Sequence, residues 1–115
     1  MTDNKLKRVA IGFRRGVIGR RSSRRKCFAV CAPLGGYLSA VYGLETKLVE
    51  VDFKLPWSRT IRNHVFLELK DGRILDPTAD QFVKRGERVK LRQVYLGPMP
   101  KIYTKMIEAA KLQTA

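Results

Sequence analysis

The chain has 115 residues, 44% of them hydrophobic, and sets 24 Lys and Arg against 10 Asp and Glu for a formal charge of +14. That length gives room for one domain, and the apolar fraction excludes a disordered polyelectrolyte. No run of about 18 apolar residues occurs, which excludes a transmembrane helix, and the first residues lack an apolar signal region, so the cytoplasm is the expected compartment.

The charge is unevenly spread. Residues 1–26 hold ten Lys and Arg and one acid, Asp3, a net +9. Such an excess predicts attraction to polyanions: nucleic acid, an anionic membrane surface or an acidic protein. Residues 1–8 read as a frayed polar start and Val9–Phe13 as a short strand or extended arm. Gly12, Gly16 and Gly19, set among arginines, predict an irregular stretch. These glycines fit neither the dinucleotide nor the P-loop spacing, so no nucleotide or other cofactor is expected. Arg14, Arg15, Arg20, Arg21, Arg24 and Arg25 are the candidate phosphate-binding side chains, and Phe13 is placed to stack on a base.

Ser22 or Ser23 can cap a helix that runs through Cys27, Phe28, Val30, Cys31 and Leu34. Pro33 and Gly35-Gly36 predict a kink, and further helical turns over Tyr37–Tyr42 end at Gly43. Cys27 and Cys31 lie one helical turn apart, a poor geometry for a disulfide, and free thiols suit a reducing compartment. Leu48–Phe53 alternates as a strand does, and Lys54–Arg62, with Pro56 and Trp57, reads as a loop. Val65–Leu69 and Arg73–Leu75 form the arms of a hairpin around Asp71-Gly72. Arg88–Leu96 reads as another strand, broken by Gly97-Pro98 and Pro100. Lys101–Leu112 reads as an amphipathic helix with Ile102, Met106 and Ala109 turned inward.

Cys27, His64 and Asp76 are the residues with a definite chemistry. A thiol becomes a strong nucleophile as a thiolate, which a helix N-terminus and a neighbouring imidazole both favour. Cys27 lies near the predicted helix start, the sole histidine opens the hairpin, and Asp76 closes it. In these roles His64 is the proton shuttle and Asp76 fixes its tautomer. The hairpin register decides whether the last two meet. A two-residue Asp71-Gly72 turn puts Leu67 opposite Asp76 and sends His64 and Asp76 to opposite faces. A three-residue Lys70-Asp71-Gly72 loop with a left-handed Gly72 pairs Leu69 with Arg73. Phe66 then faces Asp76, with His64 diagonal to it on the same face. Cys31 is the alternative thiol, Gln81 a candidate amide donor, and Trp57, Phe66 and Tyr37 are candidates to line a substrate pocket. Cys27, Cys31 and His64 have metal-ligand chemistry but lack a fourth partner, so no metal is expected.

The run Arg25-Lys26-Cys27-Phe28-Ala29-Val30-Cys31, followed by Asn63 through Phe82 and by Tyr95-Leu96-Gly97-Pro98-Met99-Pro100-Lys101-Ile102-Tyr103, resembles small transglutaminase-like or papain-fold proteins of bacteria and their phages. The resemblance implies an α+β fold in which an N-terminal helix carrying the cysteine packs on an antiparallel sheet carrying His and Asp. On that footing residues 1–25 are a basic, partly flexible arm, and residues 26–115 are a single papain-like domain. The implied activity is that of a thiol hydrolase or acyltransferase (peptidase, deamidase or transglutaminase-like) acting on an amide in a protein or peptide. The alternative is a catalytically inactive basic module, a phage effector or inhibitor, that contacts nucleic acid or an acidic host protein. The chain departs from the family pattern in lacking a glutamine before Cys27. Only Asn4, Ser22, Ser23 and the Cys27 backbone N–H are available there as oxyanion donors.

Overall fold

A computed structural model describes residues 1–19, 26–55, 59–82 and 94–114. The expected extended arm is a helix over its described part: α1 spans Asp3–Ile18, with the Thr2 hydroxyl accepting from the Lys5 N–H at its start and Gly19 at φ 65° closing it. Glycine inside a helix costs about 1 kcal/mol relative to alanine. Here a stripe of four buried residues at every fourth position, Leu6, Ala10, Arg14 and Ile18, outweighs that cost by packing inward.

Helix α2 spans Cys27–Tyr42 without interruption. Its N-cap is Lys26, which makes no side-chain cap bond, so neither serine has the expected capping place. The helix runs on through Pro33 and Gly35-Gly36. Pro33 cannot bond the carbonyl of Ala29, but both residues lie on the exposed side, where water can satisfy that oxygen. Gly43 closes the helix in the left-handed conformation, φ 62° and ψ 20°, as its position predicts. On the inner side Gly35 lets α2 approach the sheet closely: a Cβ there would sit 3.2 Å from Thr46 Oγ1 and 3.4 Å from Leu67 Cδ2.

The sheet is antiparallel, with strands in chain order: β1 Thr46–Lys54, β2 Ile61–Leu69, β3 Ile74–Asp76 and β4 Tyr95–Gly97. Residues 83–93, which include most of the strand expected over Arg88–Leu96, lie outside the described residues. Helix α3, Lys101–Thr114, completes the chain. The fold is thus α+β, with helices packed on a four-stranded antiparallel sheet.

Two apolar cores result, one on each face of the sheet. Leu34 and Leu38 of α2, Leu6 and Ala10 of α1, and Val65, Leu67 and Leu75 of the sheet form the first. Phe53, Phe66 and Ile74 meet Tyr103 and Met106 of α3 in the second. Each fully buried large side chain contributes about 1.5–3 kcal/mol, so these layers hold the helices to the sheet. The inward stripe of α3 is Tyr103, Met106 and Ala110 rather than Ile102, Met106 and Ala109, and Ile102 is exposed. The rotation puts a tyrosine hydroxyl into a core that holds a buried carboxylate.

The hairpin takes the three-residue loop. Leu69 N–H donates to Arg73 O at 2.8 Å, Gly72 N–H donates to Leu69 O at 3.0 Å, and Gly72 has φ 88°. Leu67 pairs with Leu75, and continuing that register sets Phe66 level with Asp76. His64 therefore points to the same face as Asp76.

Candidate active site

The site forms where β3 leaves β2. Residues 65, 67 and 69 of β2 direct their backbone groups toward β3, as Leu69 does to Arg73. The partner level with Val65 in this register is Pro77, which has no N–H to give. Two sulfurs from α2 fill the gap. Cys31 Sγ donates to Val65 O at 3.6 Å, and the Val65 backbone hydrogen-bonds the Cys27 sulfur. The Pro77 carbonyl is taken instead by Arg14 Nη1 at 3.1 Å.

This gap brings groups from opposite faces of the sheet together. Cys27 belongs to the helix on one face, whereas His64 packs on the other, 5.2 Å from the Phe53 ring and 5.9 Å from the rings of Phe66 and Tyr103. At the split the Cys27 thiol and the His64 side chain are close enough for each to shift the other's titration. His64 Nε2 lies 2.5 Å from Asp76 Oδ2, which leaves Nδ1 as the ring nitrogen for the sulfur. Asp76 is held in turn. Tyr103 Oη donates to the same Oδ2 at 2.5 Å, and Thr78 donates to Oδ1 through its backbone N–H at 3.0 Å and its hydroxyl at 3.4 Å. His64 and Asp76 have 0% exposure, and Cys27 retains 7%. Cys27 is thus the one member of this chain of groups that retains any exposure.

Electrostatics sort the two thiols. Burial pushes the Cys27 thiol up, but the His64 hydrogen bond and charge, with backbone bonds from Val65 and Phe28, outweigh it and bring it below the ordinary thiol value. Cys31, one turn along the same helix, is driven well up by burial and then by the negative charges of Asp76 and Cys27. Contact with the imidazole is what separates them. Burial alone would lower His64, yet the Asp76 charge and hydrogen bond, followed by the Cys27 contact, raise it above the usual imidazole value. A lowered thiol beside a raised imidazole shifts the balance from the neutral pair toward thiolate and imidazolium.

The other candidate residues are scattered. Cys31 is packed in the core, and Phe66 lies in the second core against Tyr103. Tyr37 is exposed and packs against Phe13 of α1. Gln81 lies in a short 3-10 turn, Ala79–Phe82, after Asp76. Trp57, Ser22, Ser23, Arg20, Arg21, Arg24 and Arg25 lie outside the described residues. Arg15 is exposed in the last turn of α1. Arg14 is not a free phosphate ligand: it is buried, and its guanidinium grips Asp80 at 2.6 and 2.9 Å in addition to Pro77 O. The same apolar stripe that forms α1 carries Arg14 inward, where Asp80 neutralises it.

Tyr103, Thr78 and the Arg14–Asp80 pair are site-supporting groups that the sequence reading missed. For Tyr103 the signal was the i, i+3, i+7 spacing with Met106 and Ala110. For Arg14 it was the fourfold spacing with Leu6, Ala10 and Ile18. Among the described residues, no group of three or more His, Cys, Asp and Glu side chains is arranged to hold a metal ion. Likewise, no helix among them is long and apolar enough to cross a membrane. No family model matches the chain, and neither the curated proteins nor the solved structures give a match.

Proposed function

We propose that the protein is a thiol hydrolase or acyltransferase of papain-like or transglutaminase-like architecture, acting on an amide in a protein or peptide. The observation that carries this reading is the line that runs from Cys27, whose thiol the His64 imidazole favours as the anion, through His64 to its bond with a fully buried Asp76. A structural cysteine in a core does not need such a line, whereas a nucleophile does.

In the proposed reaction the Cys27 thiolate attacks the amide carbonyl carbon, and the carbonyl π pair moves onto oxygen. Cys27 is the first residue of α2, whose unpaired N–H groups at the helix start are suited to receive that developing charge. The C–N bond then breaks, and the His64 imidazolium gives its proton to the departing amine. This leaves a Cys27 thioester. Water or a second amine attacks the thioester, passes a proton to His64, and expels the thiolate. Asp76 keeps the ring oriented throughout by accepting from Nε2, and Tyr103 and Thr78 hold the carboxylate in place.

The test is to trap the acyl-enzyme. An activated acetyl ester, acid-quenched and digested, should leave its acetyl group on the Cys27 peptide. His64→Ala should lower the acylation rate by about 100-fold or more, in line with the worth of a positioned general base. Acylation of Cys31 instead, or equal rates in the wild type and His64→Ala, would remove the basis for the proposal.

A further inference from the structure

Along the outer side of the α1–α2 pair runs an apolar groove of about 530 Å³ lined by Val9, Gly12, Phe13, Gly16, Val17 and Tyr37. That volume falls in the range of roughly 300–1,000 Å³ typical of binding pockets. Gly12 and Gly16, one turn apart on α1, form its open floor, and a Cβ built on either would meet nothing within 4 Å. Val17 and Tyr37 are about two-fifths exposed, and neighbouring Val41 is exposed at 55%. The groove thus leaves uncovered apolar surface that the two cores do not use.

The rim of the groove is cationic. A second depression, about 490 Å³ and lined by Lys5, Arg8 and Val9, adjoins the groove at Val9. Lys5 Nζ stands 5.1 Å from the centre of the Tyr42 ring, held by a π face rather than a carboxylate. Arg15 lies two turns beyond Arg8 on the same exposed side of α1. None of Lys5, Arg8 and Arg15 forms an ion pair with a described residue.

We infer that this groove docks an amphipathic helix of an acidic partner protein, its apolar side chains seated between α1 and α2 and its carboxylates on Lys5, Arg8 and Arg15. The missing side chains at Gly12 and Gly16 allow a helix to approach closely, and the span from Val9 to Val17 matches about two helical turns. A second copy of this chain fits poorly, because it would bring two clusters of Lys5, Arg8 and Arg15 together in a protein already at +14. A nucleic-acid strand would need aromatic faces free to stack on bases, whereas the two rings of the lining, Phe13 and Tyr37, are packed against each other with centroids 5.0 Å apart. The site is separate from Cys27 and does not depend on the chemistry proposed for it.

The experiment uses the full chain and a fluorescent synthetic helix with Leu at helical spacing and Glu on its opposite face. Two control peptides carry Lys in place of Glu, or a scrambled order of the same residues. Polarisation should detect binding of the Glu peptide at least tenfold tighter than either control. Gly16→Leu, which fills the groove, should weaken it at least tenfold while the far-ultraviolet circular dichroism stays unchanged. Arg8→Glu should weaken the Glu peptide and strengthen the Lys peptide. Equal binding of all three peptides, no binding, or indifference to Gly16→Leu would overturn the inference. So would a single-stranded RNA oligomer that binds the wild type and is lost in Gly16→Leu, or a dimer in sedimentation that Gly16→Leu dissolves.

Discussion

Tyr103 and His64 share a single oxygen: Asp76 Oδ2 lies 2.5 Å from the phenolic Oη and 2.5 Å from the imidazole Nε2. The tyrosine comes from α3 and the histidine from β2, so the carboxylate ties the last helix to the sheet at the point where the thiol arrives. With Thr78 on the other oxygen, Asp76 accepts on both sides and cannot rotate without breaking several buried bonds.

Tyr103→Phe removes one of those bonds and keeps the ring packing against Phe53. A buried hydrogen bond to a charged group is worth about 1.5–3 kcal/mol. The urea midpoint should fall by the equivalent amount with an unchanged slope, as expected for a change in stability alone. An unshifted midpoint would mean that Tyr103 contributes nothing to holding Asp76.

Alkylation should distinguish the two cysteines. Iodoacetamide should modify Cys27 and spare Cys31, with a rate that rises with pH through an inflection below the ordinary thiol range. His64→Ala removes the hydrogen bond and charge that offset burial, so the inflection should move upward. Mass analysis of the digested protein across pH provides the readout. A Cys27 inflection that His64→Ala leaves in place would show that the imidazole does not set the thiol's reactivity.

The hairpin was legible because Lys70-Asp71-Gly72 admits few geometries: a glycine at φ 88° is what the three-residue loop requires. Side-chain alternation then places His64 and Asp76 on one face without further information. Helix α1 was not legible, because Gly12 and Gly16 signal a break locally, while the packing of Leu6, Ala10 and Ile18 that overrides it is tertiary. Arg14 was misread for a related reason. In a segment with ten cations a single charge carries no sign of being buried, and its partner, Asp80, is 66 residues away. The role of Pro77 lay between these cases. Its missing N–H is plain in the sequence, but that two sulfurs would occupy the gap depends on how α2 crosses the sheet.

Stability should respond to pH in two windows. Around neutrality the two members of the thiol–imidazole pair act in opposite senses. His64, raised in the fold, contributes stability that is full below its unfolded value of 6.5 and is lost as pH rises through the raised value. Cys27, lowered in the fold, contributes stability that is present above 9.0 and is lost as pH falls through the lowered value. Wherever the two windows overlap the slopes offset, so between 6.5 and 9.0 stability should vary less with pH than either group alone would make it. Above that window Cys31 and Tyr103 dominate. Burial and the Asp76 charge keep both protonated in the fold, while the unfolded chain ionises near 9.0 and 10.0 respectively. Stability should then fall by about 1.4 kcal/mol per pH unit for each group. Denaturation series from pH 7 to 11 should show the fall, and Cys31→Ala or Tyr103→Phe should each flatten it. Unchanged alkaline slopes in both variants would place the origin elsewhere.

Arg14 should behave as a structural cation, unlike Arg15. Its guanidinium joins α1 to the Pro77 carbonyl and the Asp80 carboxylate immediately after Asp76, at 8% exposure. Arg14→Met preserves the apolar stem but leaves that carbonyl and carboxylate without this partner, at a cost of about 1–3 kcal/mol. The cost stays below the 3–5 kcal/mol typical of a fully buried pair because the Asp80 side chain keeps 28% exposure. Asp80→Leu in the Arg14→Met background should recover part of the loss, since the stranded charge is then gone. Binding to random single-stranded RNA separates the two arginines further. The slope of log affinity against log salt should be unchanged in Arg14→Met and should shrink by about 0.7 in Arg15→Gln if that side chain contacts a phosphate. A smaller salt slope in Arg14→Met, together with unaltered stability, would show that Arg14 serves the surface rather than the fold.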